Sequence, residues 1–285
     1  MARPRIVVAT DSTACLPGDV QERLDISIMP LNVVWGDEVL KDGVDIDPPA
    51  FYERLQVAEI MPTTSQPSAG EFMDFFRQVA EEKKAHVVLG IFISSKLSGT
   101  IASAQAARGM LPDLHVEVVD SLSTSMGQGF QVMAAAEVVQ SGGSLEDALK
   151  AARRVRSRLQ ILFVVDTLEF LHRGGRIGGA KRFLGTALRI KPLLELEGGE
   201  IEPLEQVRTK KKALARALEV GRERSAGGNV PQAAVVHANR LEDCVELKER
   251  VEDVLRPEEM YLTELSPVIG THVGPGTLGF AFYSE

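Results

Sequence analysis

Val87-Val88-Leu89-Gly90-Ile91-Phe92-Ile93 is an apolar run that stops abruptly in Ser94-Ser95-Lys96-Leu97-Ser98-Gly99-Thr100. A short continuous apolar run rich in β-branched residues and closed by turn formers suits a strand buried on both faces. A helical pattern follows Ser98, so the stretch reads as strand, polar loop, helix. Working outward, Ile6-Val7-Val8-Ala9 and Val116-Glu117-Val118-Val119 repeat the strand signal. Between the first two strands, Ser68 and Glu71 have capping-box spacing, and Phe72, Phe75, Phe76 and Val79 fall at i, i+3, i+4, i+7. That combination predicts an amphipathic helix with a defined start. Further helical patterns follow Phe130 and Ser144. Strands alternating with helices argue for βαβ units and a largely parallel sheet.

The second half reads differently. Ile161–Val165 opens it as a strand, and Leu193–Leu204 predicts a hairpin turning at Gly198-Gly199. A basic helix (Thr209–Glu223), a strand (Ala233–Ala238), an acidic helix (Leu241–Leu255), a strand at Met260–Leu265 and a Gly-rich pair of extended segments follow. This predicts a second α/β domain with a mixed sheet. Ser141-Gly142-Gly143-Ser144 reads as a turn between helices, so the boundary is drawn near 160: one domain over 1–160, a second over 161–285.

Composition narrows the function. The 285 residues are 44% hydrophobic and 25% charged, an ordinary globular balance. A net charge of −8 makes nucleic acid a poor principal partner. Two cysteines, Cys15 and Cys244, make no disulfide framework, and the five histidines show no metal-ligand spacing. No apolar run approaches the ~20 residues of a membrane helix, and the first residues turn polar too soon for a signal peptide. The expectation is a cytoplasmic protein without integral membrane contact or bound metal. There is no Gly-x-x-x-x-Gly-Lys-Ser/Thr phosphate loop and no Gly-x-Ser-x-Gly elbow, so intrinsic ATP use and serine hydrolysis lack their motifs. Gly274-Pro-Gly276-Thr-Leu-Gly279 matches a dinucleotide fingerprint formally, but too little chain follows it, and it reads as a tight turn.

Small polar residues fall where strands end and helices begin. Asp11-Ser12-Thr13, Pro62-Thr63-Thr64-Ser65-Gln66-Pro67-Ser68, the Ser94–Thr100 loop and Asp120-Ser121 are the four clusters. In open α/β sheets ligands bind at the carboxyl ends of strands, where free helix-start amides and hydroxyls suit an anionic oxygen. The same residues also serve as N-caps and turn formers, and both readings stand. Leu171-His172-Arg173-Gly174-Gly175-Arg176-Ile177-Gly178-Gly179 places glycines around two arginines, a loop that allows close backbone approach while guanidinium groups reach an anion.

Seven blocks together carry a resemblance to the DegV family. They are Thr10-Asp-Ser-Thr-Ala14, Met29-Pro-Leu31, Pro62–Ser68, Ile93-Ser-Ser-Lys-Leu-Ser-Gly-Thr100, Val119-Asp-Ser121, Gly174-Gly-Arg-Ile177 and Thr271-His-Val-Gly-Pro-Gly276. The resemblance spans essentially the whole chain. It implies a three-layer α/β/α domain with a parallel sheet, then a two-layer α/β domain with a mixed sheet, and a long-chain fatty acid such as palmitate or oleate buried between them. It also implies that Thr64, Ser94 and Ser95 hold the carboxylate, with Arg173 and His272 near it and Asp11, Ser12, Ser65 and Thr271 in supporting loops. The chain would be a carrier without catalysis of its own, presenting the carboxylate to a separate ATP-dependent kinase subunit related to dihydroxyacetone kinases. Cys15, where an acidic residue is common, and Ile101, where a tyrosine is common, depart from the family pattern and bear on chain-length preference. The competing readings are a lipid sensor or store without a kinase partner, and a lipid hydrolase with Ser95 as nucleophile and His272 as base.

Overall fold

The computed structural model describes residues 4–185, 190–225 and 227–285. In chain order the elements are β1 (Ile6–Asp11), α1 (Gly18–Arg23), β2 (Ser27–Met29), β3 (Asn32–Trp35), β4 (Glu38–Lys41), α2 (Pro48–Gln56), β5 (Thr63–Ser65), α3 (Ala69–Glu82), β6 (Val87–Phe92) and α4 (Thr100–Gly109). There follow β7 (His115–Asp120), α5 (Ser125–Gln140), α6 (Leu145–Arg156), β8 (Leu159–Val164), α7 (Glu169–Arg173), β9 (Lys191–Glu197) and β10 (Glu200–Val207). The last are α8 (Lys210–Ser225), β11 (Gln232–His237), α9 (Leu241–Leu255), β12 (Glu259–Glu264), α10 (Pro267–Val273) and β13 (Leu278–Tyr283).

Two compact units result. The first comprises Met1–Asn32 and Thr64–Ser157, the second Val33–Thr63 and Arg158–Glu285. In the first unit a parallel sheet runs β2-β1-β6-β7. Val7, Ala9, Val88, Phe92 and Val116 pack on one face against Phe72 and Phe76 of α3 and Ile101, Ala104 and Ala107 of α4. Phe72 and Phe92 meet edge to face at 5.2 Å. On the other face α5 lies over β1, where Gln128 Nε2 donates to Thr10 Oγ1 at 2.8 Å, and α6 covers α5. That makes the three layers. The capping box of α3 is formed at Ser68 and Glu71, and α6 has a second at Ser144 and Asp147 after the Ser141–Ser144 turn.

In the second unit a six-stranded sheet runs β10-β9-β8-β13-β11-β12, with β11 and β12 parallel and every other pair antiparallel. Helices α8 and α9 bury Leu214, Leu218, Leu247 and Val251 against Leu162, Val235, Phe280 and Phe282, the second layer of a mixed α/β arrangement. The hairpin of β9 and β10 turns at Gly198-Gly199, as its sequence predicts.

Three expectations need correction. An uninterrupted first domain over 1–160 does not form, because 33–63 groups with the second unit. Tyr52 ties it there, its buried side chain donating its hydroxyl to Leu265 O at 3.2 Å, while Trp35 and Phe51 pack edge to face at 5.6 Å within the segment. The Gly-rich end is not a pair of extended segments. Ser266 accepts from Ile269 N, Pro267 stands in the first turn, and Thr271 Oγ1 donates to Pro267 O at 2.9 Å, so 267–273 is helical before β13 begins. The fifth helix starts at Ser125, ahead of the apolar pattern at Phe130, because Gly127 and Gly129 hide its first turn from hydrophobic periodicity. The Gly274-Pro275-Gly276 stretch is a turn between α10 and β13, held by Gly276 N donating to Ala238 O at 2.9 Å.

Candidate functional site

The carboxyl ends of β1 and β6 are joined through one buried side chain. Asp11 ends β1 and caps a 3-10 turn, Ser12–Ala14. Its Oδ1 accepts from Thr13 N at 3.0 Å and from the Thr13 hydroxyl, and its Oδ2 accepts from Ile93 N at 2.8 Å. Burial pushes the Asp11 carboxyl above the ordinary carboxylate range, and the hydrogen bonds from Thr13 and Ile93 partly oppose that rise. Ser12 Oγ accepts from Leu31 N at 3.2 Å, and Asn32 Nδ2 donates to Ser65 Oγ at 3.4 Å. Asp11 and Ser12 therefore each hold a neighbouring segment through a backbone amide.

Beyond β6, Ser94 is fully buried. Its amide donates to Ser123 O at 2.8 Å, and its carbonyl accepts from Leu97 N and Ser98 N at 3.0 and 3.1 Å. Ser95 is exposed, and its amide shares Asp120 Oδ1 with Leu122 N, at 3.2 and 2.9 Å. Asp120 thereby ties the loop after β7 to the loop after β6. Half-buried Thr64 and exposed Ser65 lie in β5, and the loop that follows reaches the same place. A Cβ on Gly99 would stand 2.8 Å from Gln66 Nε2, so the absence of a side chain there lets the two loops close on each other. Thr64, Ser94 and Ser95 thus belong to one set of laced loops in the first unit.

Arg173 and His272 belong to the second unit. The helix α7 runs into the glycine loop, and a Cβ on Gly174 would stand 2.2 Å from His272 Nδ1. Gly174 is what lets the loop lie on the imidazole. Arg176 Nη1 turns back to Gly174 O at 2.7 Å. Burial, then the Arg176 charge, pushes His272 down to about 4, so the ring is neutral near pH 7. Arg173 is exposed and pairs with Glu169 at 2.5 Å, one helical turn away. Thr271 is buried and spends its hydroxyl on the backbone of α10. The arginine whose charge acts on His272 is therefore Arg176, three residues from the Arg173 that the family resemblance singles out. The signal was the doubled glycine beside it, which required something to be approached closely.

The His272 shift has a measurable consequence. A base whose folded value lies below its ordinary one contributes stability that is complete above about 6.5 and is lost as pH falls toward about 4. At pH 5 the loss is about 2 kcal/mol. His272→Asn is expected to flatten the fall in stability between pH 7.5 and pH 5 by roughly that amount in denaturant titrations. His237, also pushed down by burial, contributes equally in both proteins and cancels. Identical pH profiles would show that His272 is readily protonated in the folded chain.

Among the described residues there is no group of three or more His, Cys, Asp or Glu side chains placed to hold a metal ion, and no helix long and apolar enough to cross a membrane. Comparison with known proteins gives a consistent picture. The chain matches the profile of the DegV family over residues 5–285. It is 38% identical over 281 residues to a DegV domain-containing protein of Halalkalibacterium halodurans, covering 99% of each chain. It is similar to the solved structure of a DegV family protein from Thermus thermophilus, described for fatty acid binding, at TM-score 0.92 and 39% identity, covering 99% of this chain and 100% of that one. Bacillus subtilis DegV, described as a fatty acid binding protein, superposes at TM-score 0.91 with 36% identity over 99% of this chain and 100% of its own.

Proposed function

This chain belongs to the DegV family, and from that membership we propose that it binds a long-chain fatty acid and presents the carboxylate to a separate ATP-dependent kinase subunit for acyl-phosphate formation. The observation that carries the binding half is the whole-chain likeness to the Thermus protein described for fatty acid binding. The serine hydroxyls of the Ser94–Thr100 loop, at the carboxyl end of a parallel strand, are groups of the kind that can donate to a carboxylate. In this reading Thr64, Ser94 and Ser95 hold the head group, and Arg173 and His272 act on the carboxylate or the incoming phosphate. Asp11, Ser12, Ser65 and Thr271 keep the loops in place. The kinase half rests on the family resemblance alone; the sequence shows no phosphate loop, so in this reading the phosphoryl donor comes from the partner.

The energetics favour tight uptake through the tail. Burying about 15 methylenes at ~0.8 kcal/mol each gives roughly 12 kcal/mol gross, before ordering costs. The head-group contacts then set orientation and register. Protein purified gently from a bacterial host is expected to carry roughly one fatty acid per chain, read by mass spectrometry of an organic extract. Sub-stoichiometric lipid together with no uptake of added palmitate or oleate would overturn the reading.

A further inference from the structure

The segment Ser123–Gln131, which the site above leaves unassigned, holds buried polar groups that the fold does not satisfy. Helix α5 runs 16 residues from the loop after β7. Thr124 occupies its N-cap with extended backbone, the ordinary geometry for capping, yet its side chain makes no capping bond. Thr124 Oγ1 and Ser125 Oγ are buried and have no hydrogen-bond partner. Ser125 is only 6% exposed, and it opens the helix at φ +52°, a left-handed conformation that side-chain-bearing residues adopt at a cost. Gln131 Nε2 braces the turn from within the helix, donating to Ser121 O and Gly127 O, both at 3.0 Å. Its Oε1 is also without a partner, but an acceptor contributes nothing to binding an anion.

These features coincide with the end of a long helix, where the first amides have no intrahelical partner and the dipole is positive. They also adjoin the serine loop, since Ser94 N donates to Ser123 O at 2.8 Å. Buried hydroxyls left unpaired destabilise a fold, and so does a strained backbone. A ligand oxygen that accepts from both hydroxyls removes the first cost and gives the second a use.

We propose that the first turn of α5, through Thr124 Oγ1, Ser125 Oγ and the uncapped amides, is an oxyanion subsite beside Ser94. Its occupant is one oxygen of the bound carboxylate, an assignment that rests on the fatty-acid reading, or the oxygens of an inorganic phosphate.

The test uses delipidated full-length protein with Thr124→Val and Ser125→Gly. Ser125→Gly removes both the unpaired hydroxyl and the positive-φ strain, so the ligand-free variant is expected to melt at or above the wild-type temperature. Its affinity for palmitate is expected to fall about tenfold or more, the loss of a hydrogen bond to a charged oxygen. Affinity for hexadecanol, whose hydroxyl accepts only a neutral hydrogen bond, is expected to fall markedly less. Variants that bind palmitate as tightly as wild type overturn the subsite, and so does an equal loss of both lipids, which would show no preference for an anionic oxygen. If the wild type binds neither lipid, the fatty-acid reading fails separately. The subsite then stands only if inorganic phosphate raises the wild-type melting temperature and not that of Ser125→Gly, and otherwise falls.

Discussion

Asp11→Ala is expected to cost about 3–5 kcal/mol of folding stability, because it strips three buried donors of the carboxyl that accepts from them while opening a small cavity. The alanine would leave Ile93 N, Thr13 N and the Thr13 hydroxyl without their acceptor, and each buried orphan costs about 1–3 kcal/mol. The three do not add fully, since the turn relaxes once its cap is gone. The effect reaches the site as well, because the carboxylate is what holds the end of β1 to the end of β6. Hydrogen exchange at the Ile93 amide reads this directly, and its protection is expected to drop with the stability. Asp11→Asn separates charge from hydrogen bonding. It keeps one acceptor but turns an amide donor toward Ile93 N or Thr13 N, so an intermediate loss is expected.

The pH dependence of that comparison has a definite sign. The Asp11 carboxyl is raised in the folded chain, so its contribution is fully present below about 3.8 and diminishes as pH rises through the folded value. The advantage of the wild type over Asp11→Asn is therefore larger near pH 4 than at pH 7. An unchanged unfolding midpoint for Asp11→Ala, with the Ile93 amide still protected, would remove Asp11 as the link between the loops.

What was legible in the sequence was what is local. Ser68 with Glu71 and the four apolar positions after them specify a helix start and a buried face within twelve residues, and α3 forms on those terms. Val87–Phe92 is apolar on both faces because helices cover both sides of the parallel sheet. Features decided by distant partners were not legible. Residues 33–63 join the second unit through Tyr52 and Leu265, which are 213 positions apart. Strands of three or four residues such as β2, β3 and β5 are too short to carry a period. Within the site, hydroxyl clusters were visible as a class, but which of their members are spent on the backbone was not. Thr271 is spent and Ser125 is not, and nothing in either tripeptide says so. Arg173, at the end of α7, and Arg176, in the glycine loop, are three residues apart, and only the fold tells which one lies by the histidine.

Thr64→Ala and Ser95→Ala, finally, are expected to slow phosphoryl transfer to bound lipid about a hundredfold while leaving the protein able to load. The premise is the carrier reading, in which the tail dominates affinity. Against roughly 12 kcal/mol of gross tail burial, one hydrogen bond to a charged group is worth about 1.5–3 kcal/mol. Its loss weakens binding by no more than about a hundredfold, which saturating lipid overcomes. Transfer is less forgiving, because in-line attack by the carboxylate on a nucleotide phosphate needs the oxygen held in place. A misplacement of ~1 Å costs on the order of a hundredfold in rate even at full occupancy. In the carrier reading the loops would do that holding: the Ser95 amide is pinned to Asp120, and Gln66, two residues beyond Thr64, closes on Gly99. Arg173 and His272 variants belong in the same assay, as groups assigned to the carboxylate or the phosphate. Each variant is loaded with palmitate, mixed with the partner kinase and ATP, and followed for acyl phosphate. Transfer at the wild-type rate by fully loaded Thr64→Ala and Ser95→Ala would take both residues out of the site. Failure to load at any lipid concentration would show instead that the head group, and not the tail, governs affinity.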